Sequence, residues 1–121
     1  MRRGTVFLAT RDGRAMATLA LSTIKPWAID QAYFTACTCP LYLTAMSVDP
    51  EVQGIGVGRE CLKQAVSMAE RWPSGSIRLD AWDHDEVGAG GFYTKCGFRE
   101  VGRVVYRQVP LIYFERTIRV P

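Results

Sequence analysis

The sequence predicts one α/β domain of the α+β type over residues 1–121, a mixed and mostly antiparallel sheet flanked by helices. Three observations predict it. Two strand-like runs flank an Asp12-Gly13 step, a cluster of glycines separates a strand-like segment from an amphipathic helix, and two more strand-like runs follow a short second helix. The length agrees, because 121 residues, 48% of them hydrophobic, can bury one core of useful size and no more.

In chain order, Thr5 to Thr10 and Ala15 to Thr23 read as strands, and Arg11-Asp12-Gly13-Arg14 between them supplies the positive φ of a tight hairpin. From Lys25-Pro26-Trp27 to Pro40 the pattern is irregular and reads as a loop with some extended structure, Ile29 to Tyr33 being too short and too mixed to assign. Leu41 to Val48 is a largely apolar strand, as a position in the middle of a sheet requires. The helix after the glycines sets Cys61, Leu62, Ala65, Met68, Ala69 and Trp72 along one face and ends at Pro73. Ile77 to Trp82 alternates as a strand does, Ala89 to Lys95 is a short helix, and Gly97 is its left-handed cap. Phe98 to Arg107 and Leu111 to Ile118 read as the last two strands, turning around Val109-Pro110. The order is ββ, β, α, β, α, ββ. It contains no internal repeat, and a doubly wound dinucleotide domain would need more βα units than the chain holds after Asp80.

Composition narrows the function. No stretch has the apolar length of a membrane span, and Met1-Arg2-Arg3-Gly4 leads into a strand-like segment, which predicts a soluble cytoplasmic protein with no membrane partner. The net charge of +3 is scattered, giving weak support for an anionic cofactor and none for nucleic acid. Cys37, Cys39, Cys61 and Cys96 form no CxxC pair and one histidine cannot complete a zinc site, so no metal is expected. Cys61 and Cys96 read as small hydrophobes on helical faces, and Cys37 and Cys39 as reduced loop thiols.

The run from Val48 to Arg59 holds Gly54, Gly56 and Gly58 between strand and helix. Glycines let successive N–H groups point into one concavity, and the helix start adds the positive end of its dipole, so a pyrophosphate fits there. A P-loop would need Lys and Ser or Thr after its last glycine, where this chain has Arg59 and Glu60. A dinucleotide fingerprint suffers from Arg59 and Cys61, although Asp80 lies at about the right distance for a ribose-binding acid. Gln-x-x-Gly-x-Gly, read as Gln53, Gly56 and Gly58, fits without strain.

That pattern, preceded by Ser47-Val48-Asp49-Pro50, resembles the acetyl-CoA-binding motif of the GNAT superfamily of N-acetyltransferases. Phe92-Tyr93-Thr94-Lys95-Cys96-Gly97-Phe98 is similar to the Tyr-x-Lys-x-Gly-Phe segment that closes the cofactor site in the same superfamily, and together the two cover Leu41 to Phe98. The resemblance implies acetyl-CoA as co-substrate and direct attack of an amine on its thioester. Its pantetheine arm would lie against backbone groups of Met46, Ser47 and Val48, in a gap between strands. The amides of Gln53, Gly54, Ile55, Gly56, Val57 and Gly58, with Arg59 nearby, would take the pyrophosphate. The N–H near Val48 would hold the oxyanion, and Tyr93 would give the leaving thiolate a proton or a hydrogen bond.

The proton acceptor stays open among Asp80, Asp83, His84, Asp85, Glu86 and water, and the amine, on a small molecule or a protein, stays open too. Two departures stand out. Glu86 occupies a position where many members carry asparagine, and the usual first strand and two helices are missing, so the chain reads as an N-terminally short member. A missing acceptor wall predicts a homo-oligomer, most simply a dimer, and leaves a non-catalytic acyl-CoA-binding or interaction module as the alternative function.

Overall fold

The computed structural model describes residues 4–72, 75–84 and 90–118. The expectations for Met1 to Arg3, Pro73, Asp85, Glu86 and Ala89 lie outside the described residues. The elements are β1 (Gly4–Arg11), β2 (Arg14–Ser22), β3 (Leu41–Val48), α1 (Val57–Ala69), β4 (Ser76–Trp82), α2 (Gly90–Lys95), β5 (Arg99–Tyr106) and β6 (Val109–Thr117), with short 3-10 turns at Gln31–Tyr33 and Pro50–Val52.

Local chemistry explains the first turn. Asp12 (φ 53°) and Gly13 (φ 77°) are both left-handed, so Arg11 pairs directly with Arg14 and β1 folds back on β2. The strands form one six-stranded sheet in the order β1-β2-β3-β4-β6-β5. Only β3 and β4 run parallel, which is the mixed, mostly antiparallel sheet expected from the sequence.

Helix α1 covers one face of this sheet. Its buried residues Cys61, Leu62, Ala65, Val66 and Ala69 meet Leu19, Leu21, Leu41, Leu43, Ile77 and Leu79 in the main core. Val66 joins the stripe read from the sequence, while Met68 and Trp72 are only half-buried. The helix stops at Ala69, ahead of the proline expected to end it. Its last N–H groups shift to nearer acceptors, Arg71 to the Met68 carbonyl and Trp72 to the Ala69 carbonyl, both at 3.0 Å.

The loop after β2 covers the other face. Ile29 and Phe34 anchor it, buried against Tyr42 and Tyr113. Beneath it lie two buried charged residues, Arg78 and Glu115. Glu115 accepts hydrogen bonds from the Thr35 N–H (3.0 Å), the Thr35 hydroxyl (2.7 Å) and Arg99 (2.9 Å). Arg78 donates to the Thr35 carbonyl (2.7 Å) and the Tyr42 hydroxyl (3.3 Å), with the Phe34 ring 5.0 Å away. Covered on both faces, β4 is buried almost throughout, and the alternation read into Ile77 to Trp82 is absent.

Gly97 (φ 88°) caps α2 as expected: the Phe98 N–H bonds the Tyr93 carbonyl (3.0 Å) and the Gly97 N–H bonds that of Thr94 (3.2 Å). The last turn differs from the expectation. Arg107 (φ 48°) and Gln108 (φ 70°) make it, Tyr106 pairs with Val109, and Val109 and Pro110 already belong to β6. Proline is tolerated at this first stretch of a strand, so it did not mark the turn. Cys96 lies just past α2, half-buried, and all four cysteines are free thiols. Among the described residues no helix is long and apolar enough to cross a membrane.

Candidate functional site

A single residue in β3 opens the sheet. Between the pairs Ala20↔Thr44 and Thr18↔Ser47, β3 uses one residue more than β2, and Ala45 takes a left-handed φ of 54°. This is a bulge, and bulges bend the strand that carries them. β3 and β4 pair at Leu41↔Ile77 and Tyr42↔Arg78 and share no ladder beyond. The cleft beside the diverging end of β3 has a volume of about 520 Å³.

The loop at its mouth is held from both sides. The Asp49 carboxylate accepts the Glu51 N–H (2.9 Å), and Arg14 of the first hairpin reaches Asp49 at 2.5 Å and Glu51 at 3.1 Å. The Gln53 amide donates to the Val48 carbonyl at 3.3 Å. Gly54 (φ 88°) and Gly56 (φ 90°) need glycine for their backbone angles, and an added Cβ would meet no atom within 4 Å at either. Gly58 has a different reason. A Cβ there would lie 2.7 Å from Val48 Cγ2 and 3.2 Å from Met46 Cε, so its absence lets the first turn of α1 rest against β3. Gly56 caps α1 with no side-chain hydrogen bond, so the first-turn N–H groups have no side-chain acceptor of their own.

The opposite wall comes from α2. Tyr93 is buried, with its ring centroid 5.3 Å from Phe92, 5.7 Å from Phe114 and 5.8 Å from Phe98, and it lines the cleft. Burial first, then the charges of Asp80 and Cys96, push its phenol up to about 12, so it stays protonated at neutral pH. Burial also raises the Asp80 carboxyl. Asp80 lies on β4 past the last pair with β3, half-buried, and among the described residues its carboxylate receives no hydrogen bond or ion pair. Asp83 pairs with Arg103 at 3.3 Å, and His84 stacks on Trp82 at 4.5 Å.

Met46, Ser47, Val48, Gln53, Gly54, Gly56, Val57, Gly58, Arg59 and Tyr93 all line this one cleft. Ile55 does not: its N–H closes the loop on the Val52 carbonyl (3.4 Å) and its side chain is 66% exposed. Val52, Phe92, Lys95 and Cys96 line it without having been singled out. The last three sit inside the Phe92 to Phe98 segment, so the signal was present at the neighbouring positions of Tyr93.

A mixed sheet, splayed between parallel strands beside a glycine-rich helix start, is the architecture of an acyl-CoA acetyltransferase domain. The chain belongs to the GNAT family: the acetyltransferase (GNAT) domain matches residues 2–100. It is similar to peptidyl-lysine N-acetyltransferase YjaB of Escherichia coli (strain K12), with 37% identity over 62 residues, 51% of this chain and 38% of that protein. It thus matches well under half the length of this curated relative.

Among solved structures it is similar to a candidate streptothricin acetyltransferase from Bacillus anthracis str. Ames in complex with acetyl coenzyme A, with TM-score 0.76 and 19% identity over 98% of this chain and 65% of that one. The ribosomal-protein-S18-alanine N-acetyltransferase of Escherichia coli gives TM-score 0.76 and 18% identity over 98% of this chain and 72% of that one. An aminoglycoside 6'-N-acetyltransferase complexed with coenzyme A gives TM-score 0.75 and 14% identity over 98% and 76%. At these identities the likeness is one of fold.

Proposed function

We propose that this chain transfers an acetyl group from acetyl-CoA to an amine of a small molecule or a protein. The observation that carries the reading is the gap between β3 and β4, which opens beside a helix start with no side-chain cap. Strand groups of Met46, Ser47 and Val48 without a ladder partner on β4 suit the amides of a pantetheine arm. The loop amides from Gln53, Gly54, Ile55, Gly56, Val57 and Gly58, with the exposed Arg59, suit a pyrophosphate, the Ile55 amide being the least suited because it is used within the turn.

The chemistry follows from the groups around the gap. Asp80, half-buried beside the gap and without a hydrogen bond or ion pair among the described residues, takes a proton from the acceptor ammonium, and the freed amine attacks the thioester carbonyl. The C–N bond forms and the carbonyl electrons move to oxygen. The Asp49 N–H points to β2, where it bonds the Met16 carbonyl at 2.8 Å, so strand alternation turns the Val48 N–H toward the gap and the oxyanion. The nitrogen of the tetrahedral intermediate gives its second proton to solvent, and collapse re-forms the carbonyl and expels the thiolate. A phenol held near 12 is a poor proton donor to a thiolate, so Tyr93 acts by donating a hydrogen bond, and solvent completes the protonation.

Release of free thiol from acetyl-CoA, followed over a panel of amines that includes peptidyl lysine, tests the reading. Tight acetyl-CoA binding without thiol release for any amine would replace it by the non-catalytic acyl-CoA-binding module. We also infer a homo-oligomer, most simply a dimer. Edge strand β1 presents Val6 (69% exposed) and Leu8 (57% exposed) to solvent, which supports association. A stable monomer in sedimentation at micromolar concentration would remove that inference.

A further inference from the structure

The loop between β2 and β3 leaves a cavity of about 450 Å³ where it meets the edge strand β5. The rings of Trp27, Tyr33, Tyr106 and Tyr113 line it, and Asp30 is the one acid among the lining residues, which include no base. Tyr113 pins the loop, its hydroxyl donating to the Ala28 carbonyl and accepting the Asp30 N–H at 3.1 Å. Tyr33 stands edge-on to Tyr113, centroids 5.3 Å apart. A Cβ on Gly102 of β5 would lie 2.9 Å from Tyr33 Cε1, so this glycine makes room for the ring. Trp27 is 83% exposed, an indole left bare although Ile29 of the same loop is buried.

One Asp30 oxygen accepts the Ala32 N–H (3.0 Å), and among the described residues the carboxylate is in no ion pair. Lys25 and Arg107, which adjoin the lining segments in sequence, do not themselves line the cavity. Lys25 Nζ is held by the carbonyls of Pro26 (3.0 Å) and Ile29 (2.7 Å), and the Arg107 guanidinium lies 5.3 Å from the Tyr106 centroid. An unpaired carboxylate among aromatic faces attracts a cation, since each ring is negative on its face and the apolar surroundings strengthen the carboxylate's pull. A metal ion would need more ligands than this one acid, and no metal-holding cluster occurs among the described residues. An alkylammonium group fits.

The cavity lies on the same face of the sheet as Asp80. Asp80 pairs with Tyr113 and Tyr113 with Gly102, and directly opposed residues share a face. Burial raises the Tyr113 phenol, the Asp30 N–H lowers it, and the charges of Asp30 and Asp80 both raise it, so this ring stands between the two carboxylates. Two strand spacings, about 10 Å, separate Asp80 from β5.

We propose that this cavity holds a second alkylammonium group of the acceptor, with Trp27 and Asp30 taking that cation while the reacting amine lies at Asp80. The assignment rests on the acetyl-transfer reading given above and narrows its acceptor to molecules with two amines. A small diamine and a peptide with two lysines offer the same group.

Calorimetry without acetyl-CoA tests the site with two pairs of probes. One pair is an α,ω-alkanediamine and the monoamine of the same chain length, the other a dilysine peptide and its lysine–norleucine counterpart. Wild type should prefer the dibasic member by roughly 10-fold, the scale of one cation–π contact with an exposed ion pair, and the pair with the stronger preference marks the source. Asp30→Asn, which keeps the oxygen that caps the turn, should narrow the preference several-fold. Asp30→Asn with Trp27→Ala should bring it close to unity, with monobasic binding unchanged. In thiol-release assays the double variant should raise KM for the dibasic substrate and leave kcat as it was. Equal wild-type affinity within both pairs, or a preference kept by the folded double variant, would overturn the second-cation site and leave acetyl transfer standing. An Asp30-dependent preference with no thiol release from any amine would uphold the cation site and overturn acetyl transfer instead.

Discussion

The two edges of β4 belong to the same seven residues and are finished in opposite ways. Toward β6 every residue from Ser76 to Trp82 has a partner, while toward β3 only Ile77 and Arg78 do. The closed edge is the better shielded, with Tyr113, Phe114 and Glu115 opposite it, all buried. The open edge leaves backbone donors and acceptors for a ligand. One left-handed alanine in β3 separates the two outcomes, which shows how a sheet can assign stability to one side of a strand and binding to the other.

If that division is right, substitutions at the open edge alter binding or turnover in a protein that still folds, and substitutions at the closed edge do the reverse. The largest effect is expected for Gly56→Val. A β-branched residue resists φ of 90°, and since no protein atom lies within 4 Å of the added Cβ, the damage falls on loop and ligand while the core is spared. Acetyl-CoA binding should be lost in calorimetry. Undiminished affinity in a folded variant would remove the glycine loop from the binding site.

Asp80→Asn comes next, with turnover reduced by roughly 10²- to 10⁴-fold if the carboxylate is the proton acceptor. Its raised pKa also fixes the sign of a second effect. A carboxyl raised above its ordinary 3.8 by burial favours folding when protonated and opposes it when ionised, so the neutral asparagine should melt higher than wild type at pH 7. Lower activity with lower stability would contradict this account of Asp80.

At the closed edge, Glu115→Ala should cost about 2–3 kcal/mol in urea denaturation, because it strands the Thr35 donors and removes the ion-pair partner of Arg99. Acetyl-CoA affinity of the folded form should hold. Burial alone would raise the Glu115 carboxyl, but the Thr35 hydroxyl, Arg99 and the Thr35 N–H outweigh it and the net shift is downward from 4.5. The stability it contributes is therefore present above pH 4.5 and lost as pH falls through the lower folded-state value. Thermal melts of wild type should show this acid loss, and Glu115→Gln should not. The smallest effect is Tyr93→Phe, with turnover down roughly 10- to 100-fold and acetyl-CoA affinity held, the scale of one hydrogen bond to a charged group. A larger loss would restore full proton transfer to the phenol, and parent-rate turnover would make Tyr93 a packed aromatic only.

The parts of the fold that sequence could reveal are those with local causes. Asp12-Gly13 announces its own turn, and the α1 stripe announces its face. Arg107 and Gln108 carry no such mark, whereas Val109-Pro110 reads as a turn although the Pro110 nitrogen needs no donor where it lies. Ala45 is likewise silent, because its left-handed angle is imposed by pairing with β2. The contact of Thr35 with Glu115 joins residues 80 apart, beyond the reach of any periodicity, and it is what makes the loop after β2 a cover for the sheet. In the site, the glycine spacing exposes the cleft, while nothing in the pattern around Lys95 and Cys96 marks them as lining it beside Tyr93.

The short parallel ladder has a mechanical meaning. β1, β2 and β3 with α1 packed on them form one half of the molecule, and β4, β5 and β6 with α2 packed on β5 form the other. Two backbone pairs weld the halves along the sheet. A molecule seated in the gap touches both sides of that weld and carries load across it. Across the faces the α1 core and the Thr35 contacts with Glu115 also hold the halves, so the ligand-free chain is expected to open first at this ladder under force and the filled one to yield elsewhere, and occupancy changes the route of unfolding as well as its midpoint.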